Sequence, residues 1–262
     1  AMDLDMFKHK STKESISKLV SFGNILIPPK HGELASGLVG EGRLPDPQEI
    51  VQFIEEFYSN KLPLIGKKVL ITAGPTIEEL DPVRFISNHS SGKMGYALAN
   101  AALRLGADVS LISGPTNQNI SSKKLKLTNI KTAFEMYNAL LDDFYSSDVV
   151  IMAAAVSDYK PKKFFKKKIK KKNKDLNIKF EKTLDILGEL GKIKSSQILV
   201  GFALENENEI SNAKRKLENK NLDLIILNSL NDEGAGFGFD TNKISVISKS
   251  DEIINYDLKD KS

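Results

Sequence analysis

Between residues 67 and 105 the apolar positions change from a short continuous run to a helical spacing, with a polar loop between them. The apolar run at residues 69–71 is typical of a buried strand. After the loop, apolar residues recur every three or four positions from Met94 to Leu105, which predicts a helix opened by Ser90, Ser91 and Gly92. A strand, a loop and a helix in this order are how a doubly wound α/β domain begins.

The same alternation continues along the chain. Short apolar runs predict strands at residues 108–112, 125–130, 148–155, 198–204 and 222–227, and helical spacing predicts helices at 133–144 and 207–220. The run at 148–155 is almost unbroken, which is typical of a strand buried on both faces of a parallel sheet. We therefore predict an α/β fold with a doubly wound, mostly parallel, Rossmann-like sheet and helices on both faces.

The first sixty residues follow a different pattern. A helix is predicted after Ser11 and Thr12, up to Gly23, and is followed by a short strand at 25–27, a glycine-rich loop at 32–43 and a helix at 47–58. These elements are too few to close a sheet alone. We therefore divide the chain into a first domain at residues 1–59, a linker at 60–66 and a second domain at 67–262.

The charge of the chain is concentrated in one segment. The formal net charge is +4, but residues 160–174 hold ten lysines and no acid, so the rest of the chain carries about −6. Such a run is usually a solvated loop or a weak nucleic-acid patch. No nucleic-acid motif accompanies it, and we expect no nucleic-acid partner.

The composition excludes several classes of protein. The chain has no cysteine, which excludes disulfides, thiol catalysis and Cys-ligated metals, and its three histidines, His9, His31 and His89, lack zinc-site spacing. No apolar run approaches the length of a membrane span, and no signal peptide opens the sequence. We expect a cytoplasmic protein without a membrane partner.

Small and polar residues follow the predicted strands, and they suit phosphate. Gly74, Ser113, Gly114, Phe202 and Asn228 lie at strand ends, where ligands bind in such sheets. The helix start at residues 90–92 offers free N–H groups to an anion, although it could equally be a simple capped helix. The fingerprint of a P-loop is absent, because it requires glycine at the position of Ser87. The fingerprint of a dinucleotide site is absent as well.

Several motifs in order carry a close resemblance to a known family. They are TAGPT at residues 72–76, DPVRFISNHSSGKMG at 81–95, AAAVSDYKP at 153–161, KIKK at 168–171 and GFALE at 201–205. Together they resemble phosphopantothenoylcysteine synthetase of bacterial type, which is usually the C-terminal half of a bifunctional coenzyme A biosynthesis protein. The resemblance covers residues 67–248.

The resemblance implies a ligation in two steps. The carboxylate of 4'-phosphopantothenate attacks the α-phosphate of CTP, and the amine of L-cysteine then attacks the acyl-CMP intermediate. It also implies Mg²⁺ and a homodimer. The residues it assigns to CTP are Met152, Ala153, Ala154, Asp158, Lys168, Thr183, Leu184, Asp185, Ile186, Phe202, Lys216 and Lys220, and the residues it assigns to phosphate or substrate loops are Gly74, Ser90, Ser91, Gly92, Ser113 and Gly114.

Two residues are the candidates for catalysis. Asn88 can donate its amide to the acyl intermediate without bringing charge, although Asn in such a loop is otherwise a turn former. Lys168 is expected to contact the triphosphate from a mobile flap at residues 160–174, tethered to a strand-like stretch at 176–180. Asp158 is the candidate for binding ribose hydroxyls or Mg²⁺, although it could also cap a helix or a turn. Lys216 and Lys220 share one helix face and could also be plain surface lysines.

The opening residues resemble a second family, the flavin-dependent phosphopantothenoylcysteine decarboxylases. Residues 1–3 look like the end of their PAMN-type motif, and residues 33–43 like their substrate lid. Asp3 stands where many members carry Asn, and Ser36 where they carry Cys. We expect the C-terminal part of a flavodoxin-like domain, with FMN bound only in a longer protein. The competing hypotheses are an FMN-dependent decarboxylase and a nucleotide- or RNA-binding module without catalysis.

Overall fold

The computed structural model describes residues 2–59, 61–171, 176–229 and 241–261. The chain forms two compact units, Ala1–Leu62 and Pro63–Ser262. The assignment of the first unit to a flavoprotein domain stays a prediction. No helix among the described residues is long and apolar enough to cross a membrane.

The first unit contains α1 (Leu4–Lys8), α2 (Lys10–Ser21), β1 (Lys30–Glu33), β2 (Val39–Arg43) and α3 (Pro47–Ser59). The two predicted helices are confirmed as α2 and α3. The predicted strand at residues 25–27 is wrong, because these residues form no regular structure. The glycine-rich stretch at 32–43 is more than a loop: β1 and β2 pair antiparallel, with Gly32 opposite Gly40. Glycine is rare in strands, which hid this hairpin in the sequence.

The described part of this unit has no apolar core of its own. Its buried residues are Gly40, Gly42 and Pro45. Leu19, Val20 and Phe22, at the end of α2, are about half exposed or more. A two-stranded hairpin is at best marginally stable by itself. The apolar faces of this unit are therefore open surfaces.

The second unit is a sheet with helices. Its strands are β3 (Lys68–Ala73), β4 (Ile77–Glu79), β5 (Phe85–Ser87), β6 (Asp108–Ser113), β7 (Leu125–Asn129), β8 (Val149–Met152), β9 (Tyr159–Pro161), β10 (Phe180–Lys182), β11 (Ile198–Glu205), β12 (Leu224–Ser229), β13 (Thr241–Ser248) and β14 (Ile253–Asp260). Its helices are α4 (Lys93–Arg104), α5 (Ala133–Phe144), α6 (Ile186–Ile193) and α7 (Glu209–Asn219).

Eight of these strands form the central sheet, in the order β14-β13-β12-β11-β8-β3-β6-β7. The six strands from β12 to β7 are parallel, and β13 and β14 are antiparallel to their neighbours. β4–β5 and β9–β10 form two separate antiparallel hairpins. The predicted α/β class, with a mostly parallel doubly wound sheet, is confirmed.

Helices cover both faces of this sheet. Leu70 packs with residues of α5, α6 and α7 in one apolar cluster, while its neighbours Val69 and Ile71 pack with α4 in another. Successive side chains of a strand point to opposite faces, so β3 serves both clusters. Gly95 lets α4 lie directly on β3, because a Cβ there would be 2.5 Å from Ala73 Cβ.

The sequence missed the elements with weak patterns. The hairpins and the pair β13–β14 were not predicted, nor was α6, whose apolar spacing is interrupted by Gly188 and Gly191. The strand predicted at 148–155 ends at Met152, because the residues after it form the site described below.

A buried carboxylate closes the loop after β4. The side chain of Asp81 accepts hydrogen bonds from the backbone N–H groups of Val83 (2.9 Å), Arg84 (3.0 Å) and Ile169 (3.0 Å). Its Oδ2 also lies 2.5 Å from Arg84 Nη2, which donates in turn to the Ile169 carbonyl at 2.8 Å. The Ile169 N–H, with the other donors, outweighs burial and holds the pKa of Asp81 well below its usual range.

The lysine-rich segment is therefore anchored in its described part, residues 160–171. Besides Ile169, Phe165 donates its N–H to the Leu80 carbonyl at 3.0 Å, and Lys162 donates to the Lys179 carbonyl at 2.9 Å. The prediction of a free middle is wrong at Lys162, Phe165 and Ile169, because the backbone groups of these three residues have partners. Residues 172–174 lie outside the described residues. The strand-like stretch at 176–180 becomes a strand only at Phe180.

We expect Asp81→Asn to release this segment, because an amide cannot accept all of these hydrogen bonds or pair with the Arg84 guanidinium. Trypsin should then cut within residues 160–171 several-fold faster than in the wild type, and the melting temperature should fall. Asp142→Asn, at an exposed position of α5, is the matched control. Equal cleavage of all three proteins would contradict the anchoring role.

The loss of stability should depend on pH. Because the pKa of Asp81 is lower in the folded protein than its unfolded value of about 3.9, its charge stabilises the fold above that pH. The difference in melting temperature between wild type and Asp81→Asn should be constant from pH 7 to about 5 and shrink as the pH falls below about 4. Thermal unfolding across this range measures it.

Candidate functional site

The site lies at the carboxyl edge of the sheet, where the strand order reverses. β6 and β8 lie on opposite sides of β3, which makes the gap between β3 and β8 the topological switch point. Pairing continues beyond these strands: Ala155 donates its N–H to the Gly74 carbonyl at 2.9 Å, and Thr76 donates to the Ala155 carbonyl at 3.2 Å. Ligands of α/β sheets bind in this crevice.

Three threonine hydroxyls fix the segment that follows β8. Thr72 Oγ1 accepts the N–H of Ala154 at 3.1 Å, and Thr76 Oγ1 accepts the N–H of Ser157 at 2.9 Å. The Thr183 hydroxyl donates to the Ser157 carbonyl at 2.5 Å. The threonines of the TAGPT motif therefore hold backbone, which leaves the residues after β8 as a rigid wall.

A cavity of about 640 Å³ opens beside this wall. Its other sides come from the connection between β10 and α6 and from α7. The catalytic candidate Asn88 lines it. So do most of the residues predicted to bind nucleotide, namely Met152, Ala154, Asp158, Thr183, Leu184, Asp185, Ile186, Phe202, Lys216 and Lys220. The structure thus brings together residues that are far apart in the sequence.

Two lysines and an aspartate give this cavity its charge. Lys216 Nζ donates to the Phe202 carbonyl at 2.7 Å, and Lys220 Nζ pairs with Asp185 at 2.8 Å. Burial lowers the pKa of Lys216, and the charge of Lys220 lowers it further. Burial raises the pKa of Asp185, but hydrogen bonds from Lys220 and the Gly188 N–H outweigh it and leave the pKa below its usual range. With two lysines and one aspartate, this side of the larger cavity is positive overall.

Asn88 and Asp158 both line this cavity and differ in how their side chains are held. Asn88 Nδ2 donates to the Ala155 carbonyl at 3.1 Å, so its amide is oriented by the wall. Asp158 is exposed. Among the described residues, no group of three His, Cys, Asp or Glu side chains could hold a metal ion. The metal role of Asp158 therefore stays a prediction.

A second cavity, of about 180 Å³, adjoins the first. The two share Ala154, Ala155 and Phe202. The smaller cavity lies at the N-terminus of α4, where the N-cap residue Gly92 has a φ of +78°. The predicted residues Ser90, Ser91, Gly92 and Ala153 line it, together with Asn228 and Asn242.

Gly74, Ser113 and Gly114 were predicted to face phosphate, but they line neither cavity. A Cβ on Gly74, whose φ is +73°, would be 3.0 Å from the Gly114 carbonyl oxygen, and a Cβ on Gly114 would meet Pro75. The buried Ser113 hydroxyl donates to the Gly114 carbonyl at 2.8 Å and accepts from the Tyr96 hydroxyl at 3.1 Å. These residues pack the loops after β3 and β6 together.

Three other predicted residues also lie outside both cavities. Lys168 is exposed on the anchored segment. In the first unit, Asp3 accepts the N–H of Leu4 at 2.6 Å and caps α1, and Ser36 is exposed in the turn between β1 and β2. The proposed decarboxylase role of Asp3 and Ser36 stays a prediction.

Sequence reasoning missed residues that only pairing brings to the site. Tyr159 and Lys182 line the larger cavity and lie opposite each other in the β9–β10 pair, which had no strand pattern. Asn242 is the second residue of β13, which runs antiparallel to β12. It reaches the carboxyl edge because of that direction, and nothing in its local sequence indicates it.

Known proteins resemble this chain in sequence along most of its length. The family model of the DNA/pantothenate metabolism flavoprotein C-terminal domain matches residues 64–262. The chain is 50% identical, over its whole length and 74% of the relative's, to a protein named cysteine/cysteine sulfinic acid decarboxylase from an unknown prokaryotic organism. It is 46% identical to the coenzyme A biosynthesis bifunctional protein CoaBC of Bacillus subtilis, over 95% of the chain but only 62% of that relative.

A solved structure agrees with these sequences. The crystal structure of the C-terminal domain of coenzyme A biosynthesis bifunctional protein CoaBC superposes with a TM-score of 0.63 at 40% identity, covering 76% of this chain and 89% of that one. The match agrees with the resemblance that the motifs carry. The chain therefore belongs to the family of DNA/pantothenate metabolism flavoprotein C-terminal domains.

Proposed function

We propose that the second unit is a ligase that joins 4'-phosphopantothenate to L-cysteine in coenzyme A biosynthesis. The observation that carries this proposal is the pair of adjoining cavities with Ala154, Ala155 and Phe202 as a common wall. A nucleotide and the acid that it activates must be held next to each other, and two adjoining cavities with a common wall provide one continuous space for both. The CoaBC relatives, whose name assigns them to coenzyme A biosynthesis, support the pathway.

In this proposal the activating nucleotide is CTP. The substrate carboxylate attacks the α-phosphate, pyrophosphate leaves, and the amine of cysteine then displaces CMP from the acyl-CMP. No nucleophile from the protein is required, so the site must supply position and charge. The preference for CTP rests on the family resemblance, and backbone groups of the rigid wall after β8 are the candidates for reading the base.

The larger cavity is the proposed nucleotide site. Lys216 and Lys220 sit on one face of α7 and give the cavity positive charge that suits a phosphate chain. Lys220 is paired with Asp185, so a phosphate would join or replace that ion pair. The contact of Lys168 with the triphosphate stays a prediction, because Lys168 lines neither cavity in this structure.

Asn88 is the proposed donor to the acyl group. One N–H of its amide is taken by the Ala155 carbonyl, and the same amide has a second N–H and a carbonyl oxygen to offer the substrate. A neutral donor held by the wall can stabilise an oxyanion without binding the acidic substrate too tightly. Asn88 is thus assigned to the acyl-CMP and its reaction with cysteine.

Asp158 is the proposed protein ligand of Mg²⁺. Magnesium usually takes one or two carboxylates and completes its shell with phosphate oxygens and water, so a single exposed carboxylate at a phosphate site fits it. When bound, the ion supplies charge that stabilises the departing pyrophosphate. Asp158 holds the ion at the edge of the cavity.

We also propose a homodimer through the two hairpins. Val83 and Phe85, at β5, and Tyr159 and Phe180, on β9 and β10, are between 45% and 58% exposed. Such a group of apolar side chains on paired strands is typical of an interface. A second copy of the chain is the proposed occupant.

A second candidate is a decarboxylase, because the 50% identical relative carries that name. We assign this activity, with FMN as cofactor, to a full-length protein that includes more than the second unit. The first unit resembles the end of a flavoprotein decarboxylase, and its described residues bury no large apolar side chain. It is therefore not expected to hold a flavin alone.

The route through acyl-CMP is tested by isotope transfer. With ¹⁸O in the carboxylate of 4'-phosphopantothenate, one labelled oxygen should appear in the phosphate of CMP, because the bond between carbon and that oxygen breaks in the second step. Mass spectrometry of the nucleotide measures it. Unlabelled CMP would overturn the acyl-CMP route, and release of CO₂ from cysteine or cysteine sulfinic acid by a yellow, flavin-containing protein would favour the decarboxylase.

Asn88→Ala should lower kcat by about 10²- to 10³-fold, because loss of one such donor typically has this effect. The Kd of CTP should stay within a few-fold of wild type, and acyl-CMP should accumulate in quenched reactions. Asn219→Ala, at the end of α7, is the matched control. A wild-type kcat with all substrates saturating would remove Asn88 from the mechanism.

Sedimentation should show a mass twice that of the chain, and Phe85→Lys should convert it to a monomer, because a charge cannot be buried unpaired in an apolar interface. Phe134→Lys places the same charge at an exposed position of α5 and should leave the dimer intact. A monomeric wild type, or a dimeric Phe85→Lys variant, would refute this interface.

A further inference from the structure

The smaller cavity contains polar atoms that the protein itself does not satisfy. Among the described residues, four buried side-chain atoms have no hydrogen-bond partner, and three of them, Asn228 Oδ1, Asn242 Oδ1 and Asn242 Nδ2, belong to residues that line this cavity. Asn242 is only 6% exposed. Buried amides nearly always find partners, and an unpaired one lowers stability. Asn242 therefore requires an explanation other than packing.

Asn242 lies beside an irregularity in the pairing of β13 with β14. Asn228, the next-to-last residue of β12, lies opposite Ile244 of β13, and Asn242 lies two residues further toward the carboxyl edge. The pairing of β13 with β14 shifts register between Asn242 and Ile244. Bulges of this kind change the direction of a side chain and are common beside active sites.

The opposite wall of the cavity is built to receive an anion. Ser90 Oγ and Ser91 Oγ accept the backbone N–H groups of Gly92 (3.3 Å) and Lys93 (3.5 Å), which leaves each hydroxyl proton for another acceptor. The N-cap residue of α4 is Gly92, which has no side chain to offer, and the first turn of the helix lines the cavity through Met94 and Gly95. Helix N-termini favour negative charge. The unpaired Asn242 amide is the independent sign that a ligand belongs between these walls.

We propose that Asn242, together with Asn228, completes a site for the terminal diphosphate of a nucleoside triphosphate, and so for the pyrophosphate that leaves. This inference rests on the proposed ligase function, which supplies the nucleotide. With the nucleoside in the larger cavity, the phosphate chain passes the shared wall and ends at the helix. Asn242 Nδ2 donates to a phosphate oxygen, and the Oδ1 atoms of Asn228 and Asn242 would accept from water that accompanies the diphosphate.

A neutral amide suits a leaving group. Lysine or arginine at this position would bind pyrophosphate strongly and slow its release, whereas an amide gives direction with little charge. Without ligand, the unpaired amide of Asn242 lowers the stability of the protein, as is common for residues that serve binding. Replacing it by an apolar side chain of similar size should weaken binding without loss of stability.

The test measures binding of Mg²⁺-pyrophosphate by calorimetry, together with melting temperature, for wild type, Asn242→Leu, Asn242→Asp and the control Asn255→Leu. Asn255 is exposed on β14, where its Oδ1 accepts from the Ser245 hydroxyl. We expect the Kd of pyrophosphate to rise more than about tenfold in Asn242→Leu and further in Asn242→Asp, whose charge repels the anion. Asn255→Leu should bind as wild type does. Without ligand, Asn242→Leu should melt at the wild-type temperature or above.

Several outcomes would overturn the inference. The first is a wild type that does not bind pyrophosphate, and the second is an Asn242→Leu variant that binds it normally. The third is an Asn242→Leu variant that loses both stability and binding, while Asn242→Asp folds and binds pyrophosphate normally.

Product inhibition separates this inference from the ligase proposal. If ligation occurs through acyl-CMP but pyrophosphate inhibits Asn242→Leu and wild type equally, only the inference about Asn242 fails. If pyrophosphate binds through Asn242 but CMP carries no ¹⁸O, only the acyl-CMP route of the ligase fails.

Discussion

The hydrogen bonds that join the loop after β3 to the segment after β8 are the constraint on which the site depends. Thr72 and Thr76 accept backbone N–H groups of that segment, and Ala155 exchanges hydrogen bonds with Gly74 and Thr76. Because Ala154 and Ala155 line both cavities, a change in this pairing would alter the two together. Backbone bonds explain why small side chains are sufficient there: the wall is made of main chain, and its position is set by buried hydroxyls.

Charge is distributed around this wall in two ways. Within the larger cavity, Lys216 and Lys220 are held against a carbonyl and a carboxylate, which keeps them near the site at a partly desolvated position. The far larger charge of the lysine-rich segment lies outside the cavities in its described part and is tied to the fold by the buried Asp81. A concentration of like charge in the sequence is therefore no guide to where the positive potential of a binding site is built.

Local rules of stability are broken where binding is proposed. The unpaired Asn242 amide lowers the stability of the protein without ligand, and the exposed aromatic residues of the hairpins leave apolar surface in water. Both features occur at the carboxyl edge or on elements that adjoin the site. By contrast the glycines at 74 and 114 follow the packing rules, because they allow two loops to touch. Unsatisfied groups, more than glycine content, distinguish ligand surface from packed surface here.

The sequence by itself determined the class of the fold and most of the larger cavity. Apolar runs and helical spacing predicted β3, β6, β8, β11, β12 and the helices α4, α5 and α7, because these elements bury whole faces in the core. Nearly all the residues assigned to nucleotide line one cavity, since parallel strands bring their carboxyl ends to one edge. Only the tertiary structure decided which small residues line a cavity. Ser113 and Ser90 look alike in the sequence, but the first bonds to its neighbours and the second lines a cavity. Asn242 reaches the site through the direction of an antiparallel strand and a bulge, and such long-range pairing leaves no periodic signal in the chain.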